Sequence, residues 1–116
     1  MSPRFTIVQH FEGKDSAVKS IYERILKEAG KFGKVVEDPK KTSIHLNNKS
    51  AFLGVATQKS AIILTIKSVE PITHARVRKS EKMSARRYFQ HVKVTSPEEV
   101  DALLISWLKH SYEFSG

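Results

Sequence analysis

Fourteen consecutive positions, His74-Ala75-Arg76-Val77-Arg78-Lys79-Ser80-Glu81-Lys82-Met83-Ser84-Ala85-Arg86-Arg87, carry six of the chain's twenty lysines and arginines and a single acid. A guanidinium offers a planar fork of donors that matches phosphate, and a lysine supplies a mobile point charge. Tyr88 and Phe89 follow directly, which sets rings able to stack on bases beside the cations. Arg76, Arg78, Lys79, Lys82, Arg86 and Arg87 are therefore the candidate polyanion contacts, with Lys41 and Lys49 at the margin and Tyr88 available to stack. The blander reading is a solvated basic loop with both rings in the core.

Catalytic chemistry has fewer supports. His10, His45, His74, His91 and His110 are scattered, and none has a histidine two or four residues on, so no metal site is expected. The acids form no pair of the two-metal type. His45 and His91 both fall mid-strand on the side away from the aliphatic residues. On neighbouring strands they could act as general acid and base on a phosphodiester or a small anion, beside Lys41 or Lys93. No serine sits in a nucleophile elbow. Lys40-Lys41-Thr42-Ser43 lacks the glycines of a phosphate loop, and no cofactor is expected.

These residues must be held by a fold, and 116 residues suffice for one domain, 1–116, with one core. Zero cysteines exclude disulfides and thiolate chemistry and suit a reducing, cytoplasmic setting. No apolar leader is visible, and the run Ala61–Ile66 is too short to cross a bilayer. A net charge of +8 favours phosphate polymers as partners.

Thr6 and Gln9 are spaced as a capping box for a short opening helix ending near Phe11. Val18, Ile21, Tyr22, Ile25, Leu26 and Ala29 form one apolar helical stripe behind Asp15, stopped by Gly30 and Gly33. The period then shortens to two. Val35–Glu37, Thr42–Leu46, Ala51–Thr57 and Ala61–Lys67 read as strands, with a hairpin turn at Asn47-Asn48-Lys49. Residues 68–86 read as a long loop, and Arg87–Thr95 as a further strand. Ser96-Pro97-Glu98-Glu99 opens a last helix with Val100, Leu103, Leu104, Trp107 and Leu108 buried. The expected fold is α+β: an antiparallel sheet of four or five strands with two amphipathic helices packed on one face.

Phe11 with Gly13-Lys14, Tyr22, Lys41-Thr42-Ser43-Ile44, Phe52, Arg76-Val77-Arg78-Lys79, His91-Val92, Ser96-Pro97-Glu98, Trp107-Leu108 and Tyr112 together resemble a small bacterial family described as a domain of unknown function. The resemblance spans nearly the whole chain. It implies a domain found alone or at the C-terminus of larger proteins, some of them associated with restriction, and it brings no catalytic residues. The functional expectation is a non-enzymatic module binding nucleic acid or another polyanion. The alternatives are an enzyme using His45 and His91, and a protein-interaction domain docking on an acidic partner. Oligomeric state is left open.

Overall fold

The computed structural model describes residues 6–114. Two α-helices, α1 (Ser16–Ala29) and α2 (Ala102–Phe114), pack on one face of a six-stranded sheet. The strands are β1 (Val36–Pro39), β2 (Ile44–Asn47), β3 (Ala51–Thr57), β4 (Ile62–Ser68), β5 (Val77–Ser84) and β6 (Arg87–Val94). Their order is β1-β2-β3-β4-β6-β5, every pairing antiparallel. The class is α+β as expected, but the sheet has six strands rather than four or five.

The extra strand is β5, which occupies much of the expected 68–86 loop. Only Val77 and Glu81 are even half-buried along its length. It lies at the sheet edge, beyond the helices, so no apolar alternation marks it. Two register shifts, at Val77/Lys79 and Lys82/Ser84, break the period further. Lysines and bulges on an exposed edge also block pairing with another chain.

The core joins the α1 stripe to alternate strand residues, among them Ile44, Leu46, Val55, Leu64, Ile66 and Val92, all fully buried. The opening turn is a 3₁₀ helix, Val8–Phe11, and its Thr6–Gln9 box forms in both directions, at 2.9 and 3.3 Å. Asp15 precedes α1, yet its carboxylate accepts from the Ser60 hydroxyl at 2.5 Å instead of capping the helix.

The Ser96–Glu99 box also forms, but it opens a 3₁₀ turn, Pro97–Glu99, and not the final helix. The chain breaks at Val100 and restarts with the Asp101 carboxylate accepting the Leu104 N–H at 3.1 Å. That bond, followed by the Arg76 guanidinium, holds the Asp101 carboxyl below its ordinary value. The restart turns the helix so that Leu104, Leu108, Ser111 and Tyr112 face the core. Leu103 is exposed and Trp107 half-buried, against the stripe read from the sequence.

A bulge in β3 sets two consecutive residues, Phe52 and Leu53, opposite Leu46, and both are buried on the helix side. Phe52 meets the Tyr112 ring edge-on at 5.0 Å. Here the Ser111 hydroxyl enters the ladder: it donates to the Phe52 carbonyl at 2.5 Å and accepts the Lys67 N–H at 3.1 Å. The Tyr112 hydroxyl reaches the Lys34 carbonyl at 2.9 Å, over Gly33. Gly33 has φ +146°, and a Cβ there would lie 2.5 Å from that hydroxyl. Among the described residues, no helix is long and apolar enough to cross a membrane.

Candidate polyanion-binding face

Because alternate strand residues face opposite ways, the sheet presents a second surface, and among the described residues no helix lies on it. One transverse row of that face runs Asp38, His45, Gly54, Thr65, His91, Lys79, each paired with the next across β1, β2, β3, β4, β6 and β5. His45 and His91 thus share a face and a row. Between them stand β3 and β4, so three strand steps separate their backbones by about 14 Å. They do not flank one reacting group, and the sequence-based idea of a joint acid–base pair lacks the neighbouring strands it required.

Each imidazole has its own surroundings. His91 Nε2 lies 2.6 Å from Glu81 Oε1. A carboxylate only accepts, so that nitrogen carries the proton, and Nδ1 faces the Thr65 hydroxyl at 3.4 Å. His45 stands beside Asp38, whose carboxyl is held below its ordinary value chiefly by its hydrogen bond to Lys40.

Ala51, Gly54 and Ala56 of β3 leave the middle of the face low. The result is a shallow trough of about 190 Å³, lined also by Ser43, His45, Thr65, Lys67 and Phe89. A Cβ at Gly54 would come 3.4 Å from that of Thr65, so glycine keeps the floor open. Lys67 of β4 and Phe89 of β6 are register partners at the trough wall. Partial burial, and then the charge of Arg87, push the Lys67 ammonium below the usual lysine range. Among the described residues, neither Lys67 nor Arg87 has a carboxylate in ion-pair range.

The fourteen-residue basic segment divides. Arg76 turns inward: Nη1 holds both Asp101 carboxylate oxygens at 3.0 and 3.2 Å, and Nη2 donates to the Glu99 carbonyl at 2.7 Å. It ties the start of β5 to the start of α2 and is no longer free for a ligand. Its charge also contributes to keeping the Glu99 carboxyl low, after the dominant Thr95 hydroxyl bond. His74 packs edge-on against Trp107 at 5.4 Å. Lys79 shares the open face and lies 3.8 Å from Glu81. Arg78, Lys82, Arg86 and Arg87 are exposed along the β5–β6 hairpin.

Tyr88, in line with Gln90, Val92 and Val94, belongs to the helix side, opposite Ser68 and Lys82. Phe89 is the ring on the open face. The marginal lysines are split by topology: Lys49, in the β2–β3 turn, shares an end of the sheet with the Ala85-Arg86 hairpin tip, whereas Lys41, in the β1–β2 turn, is at the other end.

Lys67 is the functional candidate that sequence reasoning passed over, and of the two rings it named, Tyr88 was chosen where Phe89 is the one on the open face. Strand parity could have found both. Ile63, Thr65 and Lys67 alternate with the buried Ile62, Leu64 and Ile66, and Phe89 shares the parity of His91 and Lys93. Among the described residues, no group of three or more His, Asp or Glu side chains is placed to hold a metal ion.

No curated protein and no solved structure matches the chain significantly. A family model does, over residues 7–115, and its description is "Domain of unknown function (DUF5655)". That match covers both helices and all six strands, so the chain belongs to the DUF5655 family.

Proposed function

We propose that the chain is a non-enzymatic module that binds a polyanion, nucleic acid foremost, across the open face of its sheet. One observation carries this reading: Lys67, partly withdrawn from water and without a carboxylate partner among the described residues, stands beside Phe89 at a trough floored by small residues, within electrostatic reach of the equally unpaired Arg87 on the adjoining strand. Like charges held close cost free energy, and a phosphate between them removes that cost. A base can then lie over the trough against the Phe89 ring. Lys79 and Lys93 extend the positive surface across the same face, and Arg78, Lys82 and Arg86 along the hairpin.

Fluorescence anisotropy of a short labelled single strand and its duplex tests the proposal. Binding to the single strand that weakens steeply with added salt is expected, because each neutralised phosphate releases counterions. Absence of binding at low salt, or binding indifferent to salt, counts against it.

A second, enzymatic reading has one support. Glu81 orients His91 towards a hydroxyl at the trough edge, a base–orienter arrangement. It predicts hydrolysis of an activated phosphodiester such as bis(p-nitrophenyl) phosphate, lost in His91→Gln. Tight oligonucleotide binding without turnover by the wild type decides for the binding module.

A further inference from the structure

A second concavity, of about 410 Å³, opens on the opposite side of the sheet, between the Val8–Phe11 turn, α1 and β1. That size is within the range of small-molecule sites. Its inner wall is aromatic and aliphatic: Phe11 and Tyr22 meet at 5.2 Å with their rings tilted, and Leu26 continues the surface one helical turn on. Val8, 70 % exposed, stands at the mouth and adds apolar surface that a ligand would cover.

The charges around this apolar wall run against those of the whole chain. Twenty lysines and arginines outnumber twelve acids, yet the lining holds Glu12, Glu23 and Glu37 and only Lys19. Among the described residues, Glu12 and Glu23 have no hydrogen-bond or ion-pair partner. Glu37 accepts the Tyr22 hydroxyl on Oε2 at 2.7 Å, which fixes the carboxylate and the ring together at the inner end. An apolar body alone would gain nothing from three carboxylates, and an anion would be repelled by them. A ligand with a hydrocarbon or aryl body and an ammonium end satisfies both parts. The body lies on Val8, Phe11 and Leu26, with the buried Tyr22 ring behind them, and the cation meets the carboxylates.

We infer that this cavity is a binding site for a small amphipathic amine, separate from the polyanion face and independent of that proposal. Glu12 and Glu23 select the charge, and Val8, Phe11 and Leu26 select the apolar body.

The test is an amide-resolved NMR titration of the full chain with 4-phenylbutylamine, 4-phenylbutanol and 4-phenylbutyrate. The amine is expected to give saturable shifts centred on Val8, Lys19, Tyr22, Glu23 and Leu26. The alcohol should bind several-fold more weakly, and the carboxylate not at all. Glu12→Gln with Glu23→Gln replaces two exposed groups and leaves the wall intact. It should weaken the amine by roughly three- to tenfold and leave the alcohol unchanged. Equal affinity for amine and alcohol would overturn the inference, as would an unaltered amine affinity in the double variant or shifts centred elsewhere.

Discussion

Lys67 and Arg87 bear most directly on function at the residue scale, and their proximity has a measurable consequence. In the free protein, burial and the Arg87 charge lower the Lys67 value from the ordinary 10.5. The opposite charge of a phosphate between the two cations outweighs both effects, so the bound state holds the proton more tightly. Between the lowered and the restored value the complex carries more protons than its separated parts. Affinity should therefore fall as pH rises through that alkaline window, and binding should take up protons. Calorimetry in buffers of different ionisation enthalpy measures the uptake directly, and Lys67→Met should abolish it. Arg76 makes the contrasting case. Its guanidinium is occupied by Asp101 and the Glu99 carbonyl, so Arg76→Ala should leave oligonucleotide affinity nearly unchanged. The same substitution should cost about 1 kcal/mol of stability in urea unfolding, the pair being partly solvated.

At the scale of elements, the ladder between β3 and β4 depends on α2. Ser111 bridges the Phe52 carbonyl and the Lys67 N–H where the bulge parts them. Ser111→Ala strands both groups in a buried position and should destabilise the fold by roughly 1–3 kcal/mol, measured by urea unfolding. It should also loosen the backbone that carries Lys67, and so weaken ligand binding where Arg76→Ala does not. The contrast between α1 and β5 shows what a sequence makes legible. The α1 stripe is a strong periodic signal because that helix buries one face along its whole length. β5 gives no such signal, since its place at the edge removes burial and its bulges remove the period. α2 is intermediate. Its sequence advertises a capping box, and the box forms, but Asp101 restarts the helix and shifts the buried stripe away from Leu103 and Trp107. The candidate site followed the same logic. Its basic segment was visible as composition, whereas the split between Arg76, turned inward, and Lys67, drawn in from another strand, depends on which strands become neighbours.

For the whole molecule, the fold sorts a net charge of +8 into regions of different character. The open face and the β5–β6 hairpin gather cations around a trough, and the concavity beside α1 gathers carboxylates around an apolar wall. A general excess of basic residues would give weak, diffuse attraction for any polyanion, insensitive to which lysine is removed. A defined site gives a salt dependence that counts its phosphate contacts. The decisive measurement is therefore the affinity for a single-stranded oligonucleotide across a range of salt concentrations, for wild type, Arg76→Ala, and Lys67→Ala combined with Arg87→Ala. The account predicts that the double variant binds far more weakly and that its log–log salt slope is shallower by about 1.4, some 0.7 for each lost contact. Arg76→Ala should keep the wild-type slope. A double variant that matches the wild type in affinity and slope would contradict the account.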